Sequence, residues 1–200
     1  MANWASTDYV IEGPRETLKR IYDAIQHPVV KPDSDEGWEG NVLNTLGMEW
    51  KTRQSDGSGY YMRGFIQDKE YIEFNSEKDD TLSFYAEEAW GVTDFNEVLE
   101  NAFPDIKVYF NVIEEGCEIY ATNDKNGKYF PYRWHVEACI NGNYLYEDFT
   151  AEKAMYDWLS DNTDGRVKTA QDAEDFNSDY EDSEADEDNF IYIHEFEIED

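Results

Sequence analysis

Arg133, His135 and Glu137 alternate along the run KYFPYRWHVEACI. In an extended strand successive side chains point to opposite faces, so these three share one. A guanidinium, an imidazole and a carboxylate side by side are the materials for acid–base chemistry or for holding a charged ligand. Two neighbouring runs, IKVYFNVIE and CEIYATN, also alternate. A two-residue turn at Glu115-Gly116 would set Val112 opposite Ile119 and Phe110 opposite Ala121. A second such turn, at Asn126-Gly127, would set Ile119 opposite Trp134 and Ala121 opposite Tyr132. In that register Tyr120 faces Arg133, Glu118 faces His135, and Tyr109 with Tyr120 adds an aromatic platform. The candidate site is therefore Tyr109, Glu118, Tyr120, Arg133, His135 and Glu137. Ordinary cross-strand pairing on a half-exposed sheet uses the same residue types and is the commoner arrangement.

Other chemistries find less support. Three histidines and two cysteines are scattered without the close spacing of a zinc site. Neither DSDEG nor the 179–188 stretch, which lacks any Gly, forms the DxDxDG calcium loop with a closing Glu. GSGYYMRG lacks the Lys of a phosphate-binding loop and the helix that should follow it, and no nucleophile elbow occurs. No metal and no cofactor is expected.

The elements that must position the site are readable in part. NWASTDYVIEG reads as a strand with Ala5, Thr7, Tyr9 and Ile11 on one face. Gly13-Pro14 opens a helix with the stripe Leu18, Ile21, Tyr22 and Ile25, and His27-Pro28 ends it. A short helix around Trp38, Val42, Leu43 and Leu46 stops at Gly47. YYMRGFIQ, EYIEF and TLSFYAEEAW read as strands. Thr93 caps a helix with the stripe Phe95, Val98, Leu99, Ala102 and Phe103. NGNYLYEDF adds a strand, and Thr150 caps a helix carrying Met155, Trp158 and Leu159. One domain is expected over 1–169, an unstructured acidic linker over 170–189 and a closing strand over 190–200 packed on the domain.

Charge restricts the partners. The formal net charge is −31, and residues 171–200 contain fourteen acids and no Lys or Arg. The first 170 residues are acidic as well, with thirty-three acids against sixteen basic residues. Such a surface repels phosphate backbones and anionic membranes, so neither nucleic acid nor membrane is an expected direct partner. A basic protein is, for example a nucleic-acid-binding enzyme. Glu174, Asp175, Asp179, Glu181, Asp182, Glu184, Asp186, Glu187 and Asp188 form the densest acidic segment, a candidate interaction surface. The opening MANWASTDYVIEG has no basic and apolar leader, and no apolar run approaches bilayer length, so a cytoplasmic protein with free Cys117 and Cys139 is expected.

Several stretches resemble a known family. MANW leading to Gly13-Pro14, LGMEW at 46–50, LSFYAEEAW at 82–90 and LENAFPDIKVYFNVIEEGCEIYA at 99–121 are similar to the YubB-like proteins of plasmids and phages. The likeness covers about the first two-thirds of the chain. Ala5 and Thr7 depart from it, standing where that family would have Cys and Asn. It implies an α+β fold with a ferredoxin-like split β-α-β core, an extended antiparallel sheet and helices mainly on one face. It also implies a mobile-element setting but no activity. "Ferredoxin-like" describes topology alone, since an iron–sulfur cluster needs four ligands, typically Cys. The favoured function is a non-catalytic protein-binding factor, an acidic nucleic-acid mimic that blocks a host nucleic-acid-binding or defence protein. The alternatives are an accessory domain whose acidity serves solubility, and a small enzyme using the Arg133, His135 and Glu137 face.

Overall fold

The computed structural model describes residues 3–181 and 189–199. In chain order the elements are β1 Trp4–Glu12, α1 Arg15–Gln26, α2 Glu39–Thr45, β2 Gly64–Gln67, β3 Thr81–Ala89, α3 Phe95–Ala102, β4 Lys107–Glu114 and β5 Ile119–Thr122. They continue with β6 Trp134–Ile140, β7 Asn143–Phe149, α4 Glu152–Asn162, α5 Ala170–Glu181, β8 Phe190–Glu195 and β9 Glu197–Ile198. The fold is α+β. The chain expected to be one domain to residue 169 divides at Lys125 instead: one unit runs to that residue and regains the chain at Ile198, and the other runs from Asn126 to Glu197. No helix among the described residues is long and apolar enough to cross a membrane.

The first unit is built on a sheet of order β2-β3-β1-β4-β5-β9. β1 is antiparallel to both β3 and β4, and β2 is antiparallel to β3. The alternation of β1 does what its sequence predicts, burying Ala5, Thr7, Tyr9 and Ile11. Leu18, Ile21 and Ile25 of α1 and Phe95, Val98 and Leu99 of α3 join the same core. Each large apolar side chain taken from water contributes about 1.5–3 kcal/mol before entropy is subtracted. Aromatic rings fill the centre, with Tyr9 stacked on Phe84 at 5.0 Å and Phe95 edge-on to both. EYIEF is not a strand: Asp68 takes a left-handed φ of 49° and Lys69–Tyr71 is a single 3-10 turn.

The turn between β4 and β5 differs from the expected two residues. Glu115–Cys117 forms a 3-10 turn, held by Gly116 N–H donating to the Glu114 carboxylate at 2.9 Å, and Glu118 leaves it at φ 56°. Val112 consequently pairs with Ala121 and Glu114 with Ile119. The slip is two residues, not one, so every side chain keeps its predicted face.

The second unit has a sheet of order β7-β6-β8, with both pairs antiparallel. The predicted pairing of β5 with β6 is overturned. Asn126-Gly127 does turn the chain, with Gly127 at φ 65° and a Cβ there only 3.1 Å from Pro131 Cα. No hairpin follows, because β6 gives one edge to β7 and the other to β8, a strand from the far end of the chain. Val136, Ala138, Ile140, Phe149 and Ile191 bury their side chains with Met155 and Leu159 of α4. Thr150 is not the cap of α4, since Ala151 takes that position.

Residues 170–181, expected as unstructured linker, are helix α5. Three features offset its charge. Ala173 and Phe176, three apart, are buried in the core. Thr169 Oγ1 accepts from Asp172 N–H at 3.2 Å while the Asp172 carboxylate accepts from Lys168 N–H at 2.9 Å, a close relative of the capping box. The Asn177 amide accepts from Ile191 N–H at 2.8 Å and donates to Ile191 O at 2.9 Å, tying α5 to β8. Asp182, Glu184, Asp186, Glu187 and Asp188 of the acidic segment lie outside the described residues.

Candidate functional site

β6 holds Arg133, His135 and Glu137 at or near its start, and its two neighbours complete a grid. Tyr144, Cys139 and Phe190 form one row across β7, β6 and β8. Tyr146, Glu137 and Tyr192 form the next, and Asp148, His135 and His194 the third. Val136, Ala138, Leu145, Ile191 and Ile193, which alternate with them, fill or pack against the core, so strand alternation puts these nine on the opposite face. Tyr144 and Tyr146 are 60% exposed and Tyr192 52%. Tyr192 stacks on Phe190 at 4.9 Å, and Phe190 meets Tyr144 edge-on at 6.1 Å. Rings on both sides explain why Cys139 is buried although it faces away from the core.

At the other end of the grid, His135 Nδ1 lies 2.7 Å from Asp148 Oδ1, and Nε2 lies 3.8 Å from Glu137 Oε1. An imidazole gripped at Nδ1 by a carboxylate is fixed in ring orientation, the usual device for orienting a base. The His135 and Glu137 side chains are only 12% and 17% exposed, whereas Asp148 is 39% exposed. Carboxylates and tyrosines around a partly sheltered centre suit a cation better than an anion.

The other sequence-predicted residues do not share this sheet. Tyr109 pairs with Val10 on β4 and Tyr120 with Ile113 on β5. They lie on one face of the first sheet, but Tyr120 is buried, so the expected open platform is not formed there. Glu118 belongs to the turn before β5. The expected cross-strand pairs Tyr120–Arg133 and Glu118–His135 therefore fail, for the reason already given: β6 pairs with β7 and β8. Arg133 donates from Nη1 to Phe130 O at 2.8 Å and Tyr132 O at 2.7 Å, bracing the approach to β6. Of the acidic segment, Glu174, Asp175 and Asp179 are exposed on α5, and Glu181 is its last residue. Cys117 and Cys139 are both free. The Cys117 thiol is pushed up from its ordinary value, chiefly by its hydrogen bond to Glu114, which makes it a poor nucleophile.

A second polar cluster escaped the sequence reading entirely. Glu39 and Glu88 are both fully buried in the first unit. Glu88 Oε1 accepts from Tyr9 Oη at 2.8 Å, Thr93 N at 3.0 Å and Thr93 Oγ1 at 2.7 Å. Thr93 Oγ1 also lies 2.8 Å from Glu39 Oε2. A hydroxyl has one proton to give. With that proton on Glu88, the contact to Glu39 requires a proton from Glu39. The chain runs Glu39–H to Thr93 and Thr93–H to the Glu88 carboxylate. Burial, and then the neighbouring Glu88 charge, push the Glu39 carboxyl well above the usual range, in the same sense as that count. Burial followed by the Glu88 charge also raises the Tyr9 hydroxyl. A Cβ at Gly64 would overlap the Glu39 carboxylate, so glycine makes room for the pair. Strand alternation contained the signal: in LSFYAEEAW, Leu82, Phe84, Ala86 and Glu88 share the buried face.

The two clusters differ in access. The carboxyl pair is sealed from solvent, whereas the tyrosines of the grid on the second sheet are open to it. Among the described residues no three or more His, Cys, Asp or Glu come together as a metal site. Compared with known proteins, the chain matches no family model, no curated protein and no solved structure.

Proposed function

We propose that this protein is a non-catalytic binding factor for a basic protein and competes with nucleic acid for that partner. The observation that carries this is the helical surface of the second unit. Glu152, Asp157 and Asp161 on α4 and Glu174, Asp175 and Asp179 on α5 are all exposed. From Asn126 to Glu197 the chain has nineteen acids against five Lys or Arg. Carboxylates fixed on helices present charge at set spacings, as a phosphate backbone does, and draw the same cationic grooves. The first unit supplies the carrier, read as a ferredoxin-like split β-α-β core. The order β2-β3-β1-β4 with antiparallel neighbours, and helices following β1 and β3, supports that reading. A phage or plasmid setting, implied by the resemblance to the YubB-like proteins, would give such a mimic a host target among nucleic-acid enzymes or defence proteins.

The test is capture of partners from bacterial lysate at low and high salt by the full chain and by a Glu174→Gln, Asp175→Asn, Asp179→Asn variant. Capture of a basic nucleic-acid enzyme that weakens steeply with salt, and weakens further in the variant, is expected. Capture indifferent to salt removes the proposal. A second reading, acid–base chemistry at His135, draws on the 2.7 Å Asp148 contact. It requires an activity that His135→Ala abolishes with the fold intact.

A further inference from the structure

We infer that the open face of the β7-β6-β8 sheet docks an arginine side chain of the basic partner, its guanidinium over Glu137 and flanked by Tyr146 and Tyr192. This rests on the preceding reading that the partner is basic, and it adds where and by what chemistry the partner is held.

The register places Tyr146 and Tyr192 directly across from Glu137, one on each side. Adjacent strands stand about 4.8 Å apart, so the two ring-bearing positions straddle the carboxylate at a separation near 10 Å. That gap accepts a flat cation between the Tyr146 ring and the Tyr192 ring, the latter stacked on Phe190 at 4.9 Å, wherever a free ring face turns towards it. Both rings are more than half exposed, whereas the Glu137 side chain is 17% exposed. Sheltering from water strengthens a carboxylate's hold on a cation. A guanidinium offers planar stacking and paired donors at once, whereas an ammonium is a compact, strongly hydrated point charge. Asp148, 39% exposed at the next row, extends the negative potential along the face.

Charge decides against the other occupants. Rows of exposed tyrosines on a sheet also suit stacked bases of single-stranded nucleic acid. Here Glu137 and Asp148 lie in the grid itself, in a unit with nineteen acids and five Lys or Arg, and would repel the phosphates. A second copy of the chain would bring the same excess of negative charge to its own face.

The experiment measures affinities of the full-length protein for two capped hexapeptides of equal charge, one of arginine and one of lysine, at physiological salt. The ratio cancels the general attraction of any polycation to an acidic protein. The expected wild-type preference for the arginine peptide is about fivefold, the upper end of the range for a solvent-exposed cation–π contact. It should fall to near unity in Tyr146→Ala/Tyr192→Ala and in Glu137→Gln, with circular dichroism and melting behaviour unchanged. A preference that persists in a folded double variant overturns the assignment of the face. If Glu174→Gln, Asp175→Asn, Asp179→Asn lowers both affinities while the Tyr variants lower neither, the basic-partner reading stands and this one falls. Failure of both peptides to bind at low salt removes both readings. Tyr-dependent binding of single-stranded DNA, or Tyr-dependent self-association, also overturns it.

Discussion

The two units use the same pair of residue types in opposite ways. In the first, Tyr9 and Glu88 meet at 2.8 Å with both side chains fully buried. In the second, Tyr146 and Tyr192 stand beside Glu137 with their rings more than half in solvent. A buried carboxylate draws its partners from within, and three donors converge on Glu88 Oε1 while its Oε2 is buried without a hydrogen-bond partner among the described residues. The Glu137 carboxylate, 17% exposed and 3.8 Å from His135 Nε2, lies instead between rings that stand open to solvent. The sealed cluster is read through stability, and the open one through binding.

The largest effect should come from breaking the sealed cluster. Glu88→Ala leaves the Tyr9 hydroxyl, the Thr93 N–H and the Thr93 hydroxyl without the acceptor they share, and opens a cavity on the buried face of β3 between β1 and β2. A loss of about 3–5 kcal/mol in unfolding free energy is expected from urea denaturation. A loss below about 1 kcal/mol would mean that water reaches the cluster.

Phe176→Ala should come next, and it tests α5. The ring is buried in the second core with the Arg166 guanidinium over it at 4.7 Å. Removing it should cost about 3 kcal/mol in the second unit. Amide exchange should rise along α5 and β8, which Asn177 joins at Ile191, while the first unit's core amides stay protected. Exchange already fast along 170–181 in the wild type would return that stretch to the linker its composition suggests.

That helix shows where the sequence was legible and where it was not. Periodicity located β1, α1 and α3 because each has an apolar row long enough to stand out: Ala5, Tyr9 and Ile11 in one, Leu18, Ile21 and Ile25 in another, Phe95, Val98 and Leu99 in the third. Among the described side chains of α5 only Ala173 and Phe176 mark the buried side, amid enough acid to hide them. Turn chemistry is equally local. Asn126-Gly127 correctly signals a change of direction, but it cannot reveal that β8, some fifty residues on, pairs with the edge of β6 that a hairpin would have used. The candidate site followed the same division. His135 and Glu137 were visible from alternation within one strand, whereas Tyr146, Tyr192, Asp148 and His194 depend on pairings that only the folded sheet sets. Glu39 and Glu88 were missed because an acid on a buried face is a rare placement, even though the alternation of β3 allowed it.

A pH titration sharpens the comparison further. The folded-state carboxyl of Glu39 is raised above its unfolded value by burial and by Glu88. Its contribution to stability is complete below the unfolded carboxyl value of about 4.3 and is lost as pH rises towards the folded value, because the unfolded chain releases the proton first. Within that window stability should fall by up to about 1.4 kcal/mol per pH unit from this group. Glu39→Gln, which keeps a donor for Thr93, should remove that slope and gain on the wild type as pH rises. Self-repulsion of a chain of net charge −31 also weakens the fold at high pH, so the difference between wild type and variant is the quantity to follow. Parallel curves would place the proton elsewhere in the cluster.

The smallest change compares the two environments atom for atom. Tyr9→Phe deletes one hydroxyl that donates to Glu88, and Tyr192→Phe deletes one hydroxyl from an exposed ring. The buried deletion removes a charge-assisted hydrogen bond and leaves Glu88 with two donors, at an expected cost of about 1.5–3 kcal/mol. The exposed one should stay within about 0.5 kcal/mol of wild type. It should also leave arginine-peptide affinity nearly intact, because the ring face and not the hydroxyl does the binding, whereas Tyr192→Ala should lose it. Equal stability losses at the two positions would show that the ring at Tyr192 is shielded like the one at Tyr9, and the distinction between a sealed and an open Tyr–Glu cluster would collapse.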